Sequence, residues 1–194
     1  MNQFKISVRL TVLVGILSVM LIAGAAMGLY GITKANAALH TVYVDRTVPL
    51  GQLAEISRIS TRNALLIASG LGDPQEAKVQ KIVAEVGSNI ASVDKIWAEY
   101  LSSKLTAEEK NLADKFAPLL AKFNKQGIEK ATLALKSSEL STTRDLIQEV
   151  IEPLSQEIKD TLAPLLKLQL DEAKSEYDDA VARYTLIRNV CLIS

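Results

Sequence analysis

Residues Ser69 to Glu76 read SGLGDPQE, a helix stop followed at once by a helix start. Gly70 and Gly72 offer the permissive backbone on which helices end. Asp73 then supplies an N-cap acceptor, Pro74 the fixed φ of a first helical position, and Glu76 the acid of a capping box. The stretch predicts two long helices joined by so short a turn that they must lie antiparallel.

Upstream, Leu39, Tyr43, Leu50, Leu53, Ser60, Ala64 and Ile67 recur in steps of three and four, with Arg46 and Ser57 interrupting the stripe. Downstream, Val79, Val83, Val86, Ile90, Val93 and Trp97 give a second helix one apolar face to about Ser102. LTAEEK, from Leu105, restarts the chain, with Thr106 as cap and Glu109 reaching back. A third helix carries Leu112, Phe116, Leu119, Phe123 and Leu133, and KSSELSTTRD, residues 136–145, is the next polar turn. A last helix of roughly forty residues, long for a globular protein, runs through Ile151, Leu154, Ile158, Leu162, Leu165, Tyr177, Val181 and Tyr184. Prolines 49, 118, 153 and 164 fall inside these patterns. Each removes a backbone bond at a cost of ~3 kcal/mol in a straight helix, so kinks or short breaks are expected. Around Pro153, the segment Thr142 to Ile151 also reads as a separate short helix.

The bulk numbers agree with an all-α chain. Its 194 residues are rich in Ala, Leu, Lys and Glu and include nine Gly and five Pro. Twenty-two basic and twenty-two acidic side chains cancel and interleave, which argues against nucleic acid as a partner. One cysteine, Cys191, leaves no internal disulfide to form. From Leu10 to Thr33 there are 24 residues without a charge, enough to cross a ~30 Å hydrocarbon layer. The run exceeds the ~7 to 15 apolar residues of a secretory signal, so an uncleaved anchor is preferred over a cleaved leader. Lys5 and Arg9 put the first end in the cytoplasm by the positive-inside rule, with Lys34 counting the other way.

The expected architecture is an antiparallel up-down-up-down four-helix bundle whose N-terminal transmembrane helix is continuous with helix one. The expected divisions are a cytoplasmic N-terminus at 1–9, a span at 10–33, a periplasmic bundle at 34–184 and the start of a second span at 185–194. In this topology the fourth helix returns to the membrane, and YTLIRNVCLIS, Tyr184 to Ser194, reads as the beginning of a crossing shorter than the ~20 apolar residues required.

FKISVRL, the closing GLYGI of the apolar run and ALHTVYVDRTVPLGQL after it resemble the start of bacterial methyl-accepting chemotaxis proteins, whose periplasmic sensor is a four-helix bundle. The resemblance is most specific in the first fifty residues and rests on architecture beyond them. It implies a parallel homodimer in the inner membrane, a small molecule bound near the membrane-distal end, and a fourth helix that conveys a small displacement. It also implies cytoplasmic signalling through segments downstream of Ser194, namely a HAMP linker, methylation helices and a kinase-contacting tip.

Two motifs bear on this. GAAMG sets Gly24 and Gly28 four apart, a spacing that lets membrane helices approach closely; dimerisation and chance both account for it. RISTR sets Arg58 and Arg62 one turn apart, where like charges repel by a few tenths of a kcal/mol. Glu55 can reach Arg58, whereas Arg62 has no acid three or four positions away. A solvated face, a pairing with Glu129 and an external carboxylate held by the guanidinium forks all fit. Counted from the distal end, Gln126, Gln148 and Thr143 fall near the same level and could complete an acid's hydrogen bonds. In the aspartate-type receptors that the chain resembles, arginines on the first helix and at the start of the fourth hold the ligand across the dimer interface. Arg58 and Arg62 resemble the former in kind and height. Leu154 after Pro153 offers no matching hydroxyl, so a C4-dicarboxylate, a citrate-like or an aromatic acid is expected in place of aspartate.

Catalysis finds no footing. His40 has no second histidine or cysteine with which to build a metal site, no Glu-x-x-His pair marks a di-iron bundle, and no cofactor motif occurs. Trp97 and Tyr100 read as packing, and DEAKSEYDD from Asp171 as a solvated face. The expected function is ligand sensing without chemistry. A histidine-kinase sensor and a purely structural tethered bundle are the alternatives.

Overall fold

The computed structural model describes residues 6–193. Lys5, counted above in the charge bias, and Ser194 lie outside the described residues, as does the side chain of Cys191. The described chain is helix and turn, without a strand, and forms four rods. These are α1 (Ile6–Gly72), α2 (Glu76–Ser102), α3 (107–136) and α4 (140–193). Two compact units result. One is the bundle body, Val44–Ala173; the other comprises 6–43 together with 174–193.

The turn at Ser69–Glu76 joins α1 to α2 as expected, by different chemistry. No glycine adopts a positive φ. Gly70 is there for space, since a Cβ on it would meet Leu135 Cδ2 at 2.5 Å and Ile82 Cδ1 at 3.0 Å. Asp73 is the C-cap of α1, donating its backbone N–H to Ser69 O at 3.2 Å, and its carboxylate pairs with Lys78 at 3.3 Å. The N-cap of α2 is Gln75, with no side-chain cap, so the expected Asp73–Glu76 capping box does not form. At the next turn the box is present: Thr106 Oγ1 accepts from Glu109 N, and Glu109 accepts from Thr106 N.

The helices continue through all four of these prolines. A proline ring clashes with the carbonyl four residues earlier. For Pro49 and Pro153 those carbonyls belong to Asp45 and Glu149, which lie in π-helical turns at Val42–Thr47 and Ile147–Ile151. The wider turn makes room for the ring. Residues 140–193 are therefore one rod, and no separate helix ends at Ile151. Pro118 and Pro164 sit inside continuous α-helix.

The third π turn, Phe123–Ile128, moves the buried face of α3. The extra residue rotates the rest of the helix, so that Ile128, Ala131, Thr132 and Leu135 turn inward, while Leu133, expected in the core, is exposed. The core otherwise obeys the expected stripes. Leu53, Ile67, Val79, Val86, Val93, Phe116, Phe123, Leu162 and Leu165 are buried, each worth about 1.5–3 kcal/mol. Trp97 stacks on Tyr100 and meets Phe116 edge-on, both at 5.2 Å between centroids, so this pair is packing as expected. Leu39, Tyr43, Tyr177, Val181 and Tyr184, all outside the body, are exposed.

The α3–α4 turn closes on a residue of the wrong type. Glu139 N bonds Ala134 O and Ser138 N bonds Leu135 O, a Schellman pattern that requires the left-handed region at Ser138. Its φ is 60°, where glycine is relaxed and serine is not. Ser138→Gly is expected to stabilise the chain by about 0.5–1 kcal/mol, the left-handed penalty less glycine's larger loss of backbone entropy, seen as a higher urea midpoint with an unchanged slope.

Candidate functional site

Helical spacing puts Arg58 and Arg62 on the outer face of α1, both exposed. Arg58 is held by its own helix, with Nε and Nη2 donating to the two Glu55 oxygens at 2.7 and 2.6 Å. Hydrogen bonding from the guanidinium holds the Glu55 carboxyl below the usual carboxylate range and raises Arg58 in turn. Arg62 finds its acid across a helix boundary, its Nε donating to Glu85 of α2 at 2.9 Å. The acid is thus Glu85, not Glu129. Exposed pairs of this sort contribute about 0–1 kcal/mol, so a competing carboxylate can replace either at little cost.

Gln126 and Gln148 are also exposed, the first in the π turn of α3 and the second in that of α4. Thr143 is fully buried, and its hydroxyl donates to Glu139 O at 2.9 Å. Among the described residues no hydrogen bond or ion pair joins any of these five side chains to another. Gly24 and Gly28 have open space where a Cβ would stand. Between α1, α3 and α4 a cleft of about 10 Å³ is lined by Ser57, Ser60, Thr61, Phe123, Ser155 and Lys159. That is room for one water and not for an organic acid.

The least expected polar group is Arg46. It falls on the apolar stripe of α1, three residues before buried Pro49, and points into the body with 8% of its side chain exposed. Its Nη1 donates to Glu109 of α3 at 3.3 Å, and its Nη2 meets Glu172 of α4 at 2.8 Å. Glu109 is fully buried and also serves the Thr106 capping box. A capping acid recruited to a buried guanidinium joins three helices at the end where the chain enters the body and leaves it. Tyr100 and Gln169 are buried beside this cluster, without a protein partner for either the hydroxyl or the amide. Burial, and then the Glu109 charge, push the Tyr100 hydroxyl up to about 12, while nearby Gln169 works the other way. An arginine on the apolar stripe of α1 and a capping acid at the start of α3 were the available signal. Only the packing makes them partners.

Removing one member of a buried pair strands the other. Arg46→Ala is expected to cost about 3–5 kcal/mol in chemical denaturation, and Arg46→Met combined with Glu109→Gln to recover most of it, since Gln still closes the capping box. A second expectation concerns alkali. An unfolded tyrosine ionises near 10, so between pH 10 and about 12 the unfolded chain loses a proton that the fold retains. Stability therefore falls as pH rises through this window. In urea titrations at pH 9, 10 and 11 the wild type should lose more stability than Tyr100→Phe.

Residues 1–173 match the family described as Tar ligand binding domain homologue. Over 192 residues the chain is 28% identical to the methyl-accepting chemotaxis protein NahY of Pseudomonas putida, covering 98% of this chain and 35% of that protein. The chain thus spans about a third of that relative's length. No solved structure matches. The family is one of ligand-binding sensors and not of enzymes. Its match to nearly the whole chain, on an all-α bundle led by one long apolar helix, makes this protein a member of the Tar ligand binding domain homologue family, a chemoreceptor sensor region.

Proposed function

We propose that the chain is the extracytoplasmic sensor of a methyl-accepting chemotaxis receptor, which binds a small organic acid and shifts α4 along or about its axis. In this reading 1–9 are cytoplasmic, 10–33 cross the inner membrane, 34–184 form the periplasmic domain and 185–194 begin a second span. Two copies associate in parallel, with Gly24 and Gly28 at their membrane contact. The carrying observation is that α4 passes from the body, at Ala173, to the described chain end without a turn. A continuous helix can transmit a displacement that a loop would absorb.

The exposed position of Arg58 and Arg62 supports a site completed by a second copy, since the cleft inside one chain is too small. Glu55 and Glu85 act as internal stand-ins, each occupying a guanidinium with the carboxylate chemistry the ligand would bring. Gln126 and Gln148 are the proposed amide partners. Thr143 is reached only by rearrangement of the first turn of α4, because its hydroxyl is committed to Glu139. Differential affinity for two arrangements, typically about 1–3 kcal/mol of coupling, is all the signal requires.

Thermal unfolding of the full chain in detergent, screened against di- and tricarboxylates, tests this. At a hundred-fold excess over Kd a ligand should raise Tm by about 5–10 °C. Arg62→Ala should abolish the shift, Lys122→Ala should leave it, and Glu85→Gln should strengthen it by removing the internal competitor. Loss with Lys122→Ala and retention with Arg62→Ala would refute the site.

A further inference from the structure

Outside the bundle body, α1 and α4 flank an open groove of about 530 Å³ that the sensing function does not use. The two helices meet beside it at Gly31, where a Cβ would sit 3.7 Å from Ile187 Cγ2. Its lining is of three kinds. Lys34 and Arg183 bring two cations, Glu176 one carboxylate, and Tyr30, Leu186 and Ile187 an aromatic and aliphatic surface. Among the described residues none of the three charged groups is in an ion pair, and the Lys34 ammonium lies 5.7 Å from the Tyr30 ring centroid. Lys34 is the first charge after the 10–33 apolar run. If that run crosses the membrane, as proposed above, the groove opens at the lipid–water boundary, where Tyr, Lys and Arg gather.

We infer that this groove holds the head group of a phosphatidylethanolamine molecule. The charges select it. A simple anion would satisfy Lys34 and Arg183 but confront Glu176 with a like charge, and a simple amine would do the reverse. A zwitterionic phosphodiester satisfies all three, its phosphate on the two cations and its ammonium N–H groups donating to the carboxylate. A choline head group carries the same charges but has no N–H to donate. Leu186, two-thirds exposed, and Ile187 then meet the glycerol and the upper acyl chain, where their exposure costs nothing.

The test uses the full chain, delipidated in detergent and reconstituted with equal amounts of phosphatidylethanolamine, phosphatidylglycerol and phosphatidylcholine, with retained lipid counted by native mass spectrometry. Phosphatidylethanolamine should be retained several-fold over the other two. Lys34→Gln and Arg183→Gln should each lower its retention about five-fold. Glu176→Gln should erase the preference over phosphatidylglycerol, and Lys115→Gln should change nothing. Circular dichroism at 222 nm should be unaltered in all four, because the exchanged side chains lie outside the core. Equal retention of the three lipids, or an unchanged preference in the Lys34 and Arg183 variants, would overturn the inference. So would glycerophosphoethanolamine competing at the same concentration as the lipid, since the site would then take free phosphodiesters. The inference rests on the membrane-anchored reading and fails separately from the ligand. A lost lipid preference with an intact organic-acid Tm shift removes the groove alone, and the converse removes the acid site alone.

Discussion

Helices joined by connections as short as Asp73–Gln75 and Ser137–Glu139 can bury their apolar stripes only if each stripe faces inward along its whole length. This constraint governs the body from Val44 to Ala173. Prolines threaten it, because a kink would turn half of a stripe toward water. The response is a π turn, which widens the helix by one residue and restores both the ladder and the facing. At Val42–Thr47 and Ile147–Ile151 it precedes a proline by two residues, and at Phe123–Ile128 it rotates α3 so that Leu135 replaces Leu133 inside. Gly70 belongs to the same solution, since Leu135 and Ile82 close over the place a side chain would need.

The buried charged groups gather where the chain enters and leaves the body. Arg46, Glu109 and Glu172 tie α1, α3 and α4 together, with Tyr100 and Gln169 alongside. A buried ion pair adds little net stability compared with an apolar replacement, yet it penalises any register in which one partner is stranded. The aromatic cluster of Trp97, Tyr100 and Phe116 packs next to it.

At the outer face of α1 the logic reverses. Arg58 and Arg62 are paired by Glu55 and Glu85 in the open, where screening keeps such contacts weak and exchangeable. The same residue type thus serves two ends: buried and clamped at Arg46, exposed and available at 58 and 62. Burial decides between them, through the desolvation that only Arg46 has undergone.

Periodicity, turn chemistry and hydropathy along the chain were sufficient for four helices, their order, the Thr106 capping box, the packing role of Trp97 and the long apolar N-terminal helix, because each is a local property of ten to twenty consecutive residues. Membership of the chemoreceptor family was legible as well, in the opening fifty residues. Tertiary structure alone decided which face of α3 survives its π turn, that Gly70 answers to contact and not to backbone freedom, that Arg62 meets Glu85, and that Arg46 is an interior residue. Each of these depends on what a neighbouring helix places opposite, and a charged side chain on an apolar stripe is read as a break until the acids that neutralise it, 63 and 126 residues further along, are brought within reach.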